Sequence, residues 1–208
     1  MTAAVIEETP EYPIRLDIAR PPTQSRLLNF PLYLGTIIRL VLIIPSLLVA
    51  YYVLYASFLA AYVSMWGILF TGRYPRGLFK LVVGSLRWWT NINSYIASLF
   101  DEYPPMDLDQ RPDVPLNFEV DYSARPSRWL NLPFFPIKLI LIIPHLVILF
   151  FVSIVAGIVG FIAAFAILFT GSYPAGLHAF VVGYQRWCVR VIGYLVALTD
   201  KYPPFSLS

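Results

Sequence analysis

Hydrophobic and polar positions run through the same order twice along this chain. The segment Ile14-Arg15-Leu16-Asp17-Ile18 alternates strictly, and a stretch from Leu40 to Phe70 then carries no formally charged side chain over 31 residues. Leu116-Asn117-Phe118-Glu119-Val120 and an uncharged run of 46 residues from Leu139 to Tyr184 repeat the order. Alternation at period two predicts half-buried strands. The uncharged runs exceed the roughly 20 residues that cross a bilayer, so they predict membrane helices.

Punctuation divides each long run into a hairpin. Pro45 to Phe70 as helix would measure about 39 Å and Gly77 to Phe100 about 36 Å, either long enough to span with tilt. The link Thr71 to Arg76 contains Gly72 and Pro75, a helix stop followed by a short turn. The same link returns 99 positions on: aligned from Ile68 to Pro105, 20 of 38 positions are identical. The shared turn residues are Thr71, Gly72, Tyr74, Pro75 and Gly77 in one copy and Thr170, Gly171, Tyr173, Pro174 and Gly176 in the other. A tandem duplication follows, with each copy one structural unit. The expected organisation is a flexible N-terminus over 1–11, a first repeat over 12–105, a linker over 106–113 and a second repeat over 114–208.

The second helix of each hairpin, 77–100 and 176–199, admits two readings. Lys80, Gly84, Arg87, Asn91, Ser94 and Ser98 form a polar stripe at helical spacing, which suits a helix lying at the interface. Trp88 and Trp89 beside Arg87 fit that reading as well. The distribution of cations favours spanning. With four crossings, Arg15, Arg20, Arg26, Arg39, Arg111, Arg125, Arg128, Lys138 and Lys201 share one side against Arg73, Arg76 and Lys80 on the other. With two crossings the bias disappears. The expected fold is therefore all-α and integral to the membrane, with four transmembrane helices as two tandem hairpins. A short cytoplasmic β-like segment precedes each hairpin, and both termini are cytoplasmic. The two strand-like segments then lie on one face and pair as a small cap, which requires parallel repeats. Ser57 and Ala61, and in the second copy Ala156, Gly160 and Ala164, predict close helix packing.

Composition supports the class: 58% of residues are hydrophobic and 13% charged, against about a quarter charged in soluble domains. The N-terminus carries Glu7, Glu8 and Glu11 without a basic stretch, which predicts no cleavable signal. Cys188 is the single cysteine, so an intrachain disulfide and a multi-cysteine metal site are excluded.

Four crossings would put Arg87 and Arg186 about 15 Å deep, where an arginine costs about 2.5–3.5 kcal/mol. With no acidic residue in any span, helix carbonyls, tyrosines, water, a lipid phosphate or another subunit would have to receive them. The expected partner- or lipid-binding set is Arg87, Trp88, Arg186 and Trp187, with Arg73, Arg76 and Lys80 at the first turn only.

The order of a Pro-containing apolar helix, Leu-Phe-Thr-Gly-x-Tyr-Pro-x-Gly-Leu, Val-Val-Gly with Arg-Trp, and Tyr-Pro-Pro, present in both copies, resembles the bacterial membrane proteins grouped as the domain of unknown function 4389 family. The resemblance implies a bacterial inner (cytoplasmic) membrane protein and brings no assigned activity. The second copy departs from the first at Ser172, Ala175 and Ala179, where the first has Arg73, Arg76 and Lys80.

Other chemistry is thin. His145 and His178 fall at opposite ends of their hairpin and cannot share a metal within the chain. Cys188 lacks an activating base, and no Ser-His-Asp order or phosphate loop occurs. Asp101-Glu102 and Asp200-Lys201, before each Tyr-Pro-Pro, read as solvated. No metal, no cofactor and no nucleic-acid partner is expected. The function expected is that of a non-enzymatic multi-pass accessory or scaffold subunit of a larger bacterial membrane complex, or of a homo-oligomer, in contact with membrane lipids. The alternative is a lipid or hydrophobic-ligand carrier that uses Arg87 and Arg186. An ion pathway is disfavoured because no Asp or Glu lies inside the bundle.

Overall fold

A computed structural model describes residues 12–30, 34–123 and 125–208. The N-terminal 1–11, expected to be flexible, lies outside the described residues. The described elements run β1 (Ile14–Ile18), α1 (Leu34–Thr71), α2 (Arg76–Ile96), β2 (Leu116–Val120), α3 (Ile137–Thr170) and α4 (Ala175–Leu195). Both hairpins and both strands occur where the hydrophobic pattern places them.

The first helices start earlier than expected. Pro45 and Pro144 lie inside α1 and α3, because the apolar residues upstream continue the helix and a proline removes only one backbone donor. Both helices expose most of their circumference and bury a narrow stripe. In α1 that stripe is Arg39, Ile43, Ser46, Ala50, Ser57, Ala61, Ser64 and Ile68. Its small residues let α2 lie close: the Ser57 and Ser85 hydroxyls are 2.5 Å apart, and Trp88 Nε1 donates to Ser46 Oγ at 3.2 Å.

The second helices stop four residues short of the expectation. Leu99 N bonds Ser94 O and Ser98 N bonds Tyr95 O, with the same pattern at Leu198 and Ala197, so each end is a Schellman-type cap. Ser98 (φ 60°) and Ala197 (φ 65°) hold the left-handed position that glycine usually takes. Of four helices expected to cross, α1 and α3 are the two among the described residues that are long and apolar enough to do so.

The strands pair as expected, and the helices of the two copies run in opposite directions. β1 and β2 are antiparallel, with Ile14 opposite Val120, Leu16 opposite Phe118 and Ile18 opposite Leu116. Leu16 and Phe118 are equivalent residues of the two copies, so the register is symmetric about that pair. Contacts at the helix ends show the same reversal. Gln24 joins the end of α3 to the end of α2, its backbone N–H donating to Gly171 O and its amide to Ser98 O. Trp66 near the end of α1 meets Phe134 just before α3, with ring centroids 6.3 Å apart. The Tyr74 hydroxyl at the start of α2 lies 3.5 Å from Val196 O at the end of α4. The two copies are therefore related by a pseudo-two-fold that reverses chain direction.

They also exchange strands: β1 packs on α4, and β2 on α2. Ile14, Leu16, Ile18, Leu116 and Phe118 are all buried in this arrangement. After each second helix the chain turns back along it, so that a Cβ on Gly84 would sit 2.6 Å from Leu108 O and one on Gly183 would sit 2.5 Å from Leu207 O. The result is layered. α1 and α3 lie on one side, α2 and α4 are enclosed in the middle, and the sheet and tails cover the other side.

Candidate functional site

The repeated Thr-Gly-x-Tyr-Pro motif builds each hairpin turn. Gly72 (φ 70°) and Gly171 (φ 75°) take the left-handed cap position, which costs glycine nothing. The Thr71 hydroxyl donates to Gly67 O at 2.7 Å and accepts from Arg73 N at 3.2 Å, and Thr170 makes the matching bonds. Pro75 and Pro174 sit extended as N-caps, and Tyr74 and Tyr173 are buried beneath them. Gly77 and Gly176 lie inside the following helices, where a Cβ would meet open space, so neither turn needs them. The turns are held across the pseudo-two-fold. Arg128 lies against Gly72 and the equivalent Arg26 lies against Gly171, placing a cation at each helix C-terminus.

Arg87 and Arg186 point inward, to the exchanged strands and returning tails. Arg87 donates to Phe118 O and, at 2.7 Å, to Leu108 O. Arg186 donates to Leu16 O at 2.8 Å and Leu207 O at 3.1 Å. Each arginine thus ties the central residue of a strand and a tail to one helix. Trp88 and Trp187 are buried, and Trp187 Nε1 donates to His145 Nδ1 at 3.0 Å, where the first copy uses Ser46. This tetrad, expected to meet lipid or a partner, is occupied inside the fold. Arg73, Arg76 and Lys80 remain exposed at the first turn.

Two buried clamps that the residues did not reveal pin the opposite end of each hairpin. Arg39, fully buried, donates to Tyr95 O at 2.8 Å, Phe100 O at 2.9 Å and Asn29 Oδ1 at 2.9 Å, and pairs with Asp101. Asp101 also accepts from Ser25 N and Asn29 Nδ2. Lys138 repeats the arrangement, bonding Thr199 O at 2.7 Å and Asp200 at 2.8 Å, while Asp200 accepts from Ser127 N and Asn131 Nδ2. Asp101 and Asp200, read as solvated, are therefore structural anions, whereas Glu102 is exposed. The available signal was that Arg39 and Lys138, and Asp101 and Asp200, keep their charge in both copies. Burial by itself would raise the Asp200 carboxyl, but the Lys138 charge and its hydrogen bond, with Ser127 and Asn131, hold it below the usual carboxylate range. On the sheet, a hydrogen bond from Arg15 lowers Asp121 against partial burial.

The exposed faces of α1 and α3 are apolar. α1 exposes Tyr51, Tyr52, Tyr55 and Phe58, and α3 exposes Phe150, Phe151 and Ile154. Between the hairpins lies a groove of about 520 Å³, bounded by Gly157, Gly160 and Ala164 of α3, Cys188 of α4 and Asn93 of α2. Small residues of α3 expected to pack against a helix line this groove instead. It exists because Gly157 and Ala164 stand where the first copy has Phe58 and Met65. The Tyr173 hydroxyl, buried at its wall, has no hydrogen-bond partner among the described residues. His145 and His178 are buried at opposite ends of the second hairpin, and among the described residues no group of His, Cys, Asp and Glu could hold a metal ion.

A family model described as "Domain of unknown function (DUF4389)" matches residues 34–106 and again 135–206. The chain belongs to that family. Each DUF4389 copy takes in a complete hairpin, its Thr-Gly-x-Tyr-Pro turn and the acid and base of one clamp, whereas β1 and β2 fall outside both matches. The family unit is thus the hairpin, and the exchanged strands join two units into one fold. No curated protein and no solved structure matches the chain.

Proposed function

We propose that this protein is a non-enzymatic membrane component, an accessory or scaffold subunit of a larger assembly in the bacterial inner membrane, with both termini cytoplasmic. One observation carries the reading. The strongly buried cations Arg39 and Lys138, and the inward-facing Arg87 and Arg186, are committed to backbone carbonyls and structural acids, while the extensive unpartnered surface is the aromatic and aliphatic face of α1 and α3. A large exposed apolar face marks a lipid or protein contact. Four crossings form no part of this proposal, because α2 and α4 are enclosed and have little surface left for lipid. Purification of the tagged chain from its native membrane in nanodiscs, with mass determination of the intact particle, tests the role. Stoichiometric foreign subunits are expected, and a lone chain would overturn it.

The groove favours a second reading, a site for one acyl chain or similar hydrophobic ligand, without the arginine headgroup contacts expected from the sequence. Substituting Gly157→Phe restores the residue of the first copy at a position where a Cβ meets open space. Loss of a lipid that co-purifies with the unaltered protein would support this reading. Unchanged lipid content would remove it.

A further inference from the structure

We infer that the long helices lie in the plane of the membrane, sunk into a single leaflet, and do not cross it. The inference rests on membrane association and is independent of the scaffold role. It follows from where the charges sit along the helices. The sheet is centred on Leu16 and Phe118, and these are the residues that Arg186 and Arg87 hold at the middle of α4 and α2. The segment from Tyr12 to Arg20, with β1 at its centre, follows α4: Arg20 bonds Tyr173 O just before the helix, and the Tyr12 hydroxyl bonds Lys201 O beyond its end. α1 and α3, of 38 and 34 residues, outrun α2 and α4, of 21 each, and the Ser57–Ser85 contact sets the middle of α2 near the middle of α1.

If α1 and α3 crossed the bilayer, the sheet centre would therefore fall at the midplane. The side chains there are not apolar. Asp17 is 81% exposed, Glu119 54% and Asp121 57%, and Arg15, which pairs with the last two, is itself partly exposed. Charges at mid-bilayer normally face a protein interior or a water-filled cavity, and these face outward.

Laid flat, every part finds its solvent. Each of α1 and α3 is about 10 Å across, less than the roughly 15 Å of one hydrocarbon leaflet. Their exposed faces carry aromatic and aliphatic side chains along the whole length, as a helix submerged on three sides requires. The sheet and tails, with Asp17, Glu119, Asp121, Arg111 and Asp113, then all face water on one side. Arg73 and Arg76 at the turn lie at headgroup level, where a cation meets lipid phosphate.

The test places single cysteines at Arg73, Glu102 and Asp17 in a Cys188→Ser background and labels them with a membrane-impermeant maleimide, in sphaeroplasts and in inverted membrane vesicles. Arg73 and Glu102 mark opposite ends of the first hairpin, and Asp17, beside Arg186, marks the middle of the second. All three labelled from the same side is the expected result. Labelling of Arg73→Cys and Glu102→Cys from opposite sides, or protection of Asp17→Cys from both, would overturn the inference. Labelling only from the periplasmic side would leave the single-leaflet placement standing and remove the cytoplasmic orientation proposed above. Polarised infrared spectroscopy of the unsubstituted protein in supported bilayers gives a second readout. Helix axes in the membrane plane are expected, and axes within about 40° of the normal would refute it.

Discussion

Replacing Arg39 by methionine tests whether the clamps hold the hairpins closed. The guanidinium is fully buried and satisfies Leu28 O, Tyr95 O, Phe100 O, Asn29 Oδ1 and Asp101 at once. Methionine fills a similar volume and makes none of those bonds. Removing one partner of a buried pair costs about 3–5 kcal/mol, mostly from the groups left behind. Asp101 retains Ser25 N and Asn29 Nδ2, which places the expected loss toward the lower end of that range. Arg39→Lys imitates the second copy, where Lys138 bonds a single carbonyl in addition to its acid. The loss there should be about 2–3 kcal/mol, for two or three bonds at roughly 1 kcal/mol each. Thermal unfolding in nanodiscs, followed by near-ultraviolet circular dichroism, measures both variants. Adding Asp101→Asn closes a double-mutant cycle with an expected coupling of at least about 1 kcal/mol. An Arg39→Met protein within about 0.5 kcal/mol of the unaltered chain would refute the clamp as a source of stability.

Three further outcomes follow from particular atoms. Gly84→Ala and Gly183→Ala should each destabilise by about 1–3 kcal/mol, because the new methyl meets a tail carbonyl, whereas Gly77→Ala and Gly176→Ala in open space should stabilise by about 0.5–1 kcal/mol; the same melts check all four. Ala197→Gly relieves a left-handed alanine and should raise stability by about 1 kcal/mol in those melts. The lowered Asp200 carboxyl contributes stability that is fully present above about pH 4 and lost as pH falls through its folded-state value. An acid titration of the midpoint should therefore show a loss that Asp200→Asn abolishes.

Much of this fold was legible in the residues. Duplication, hairpins, turn glycines and strand positions all follow from local pattern, since alternation and helix punctuation act within a few residues. The direction of the second copy did not, because alternation in β1 names a buried face and not the helix that will cover it. The cation count favoured four crossings, whereas α1 and α3 are the two helices among the described residues long and apolar enough to cross, and it gave no sign that Arg39 and Lys138 are enclosed. Arg87 and Arg186 were singled out as arginines needing partners outside their own helices, and Asp17 lies 3.9 Å from Arg186. Their partners are carbonyls of segments far away in sequence, visible only once the tails fold back.

Strand exchange makes a claim about either repeat alone. Without β1, residues 106–208 would leave α4 uncovered where Ile14, Leu16 and Ile18 now pack, each at most 4% exposed. At about 1.5–3 kcal/mol for each buried side chain, that loss is about 5–9 kcal/mol, comparable to the whole stability of an ordinary domain. An isolated second repeat should therefore not persist as a folded monomer. It does carry β2, and the register of the present sheet is symmetric about its central pair. Two copies of the fragment can consequently exchange β2 strands, with Phe118 opposite Phe118 and Glu119 opposite Asn117, which sets no like charges against one another. Residues 106–208 should form a two-fold dimer whose melting midpoint rises with concentration, read by analytical ultracentrifugation and dilution melts in detergent. A folded monomer that melts cooperatively would show that a hairpin can cover its own second helix, and the exchange would then be incidental to the fold.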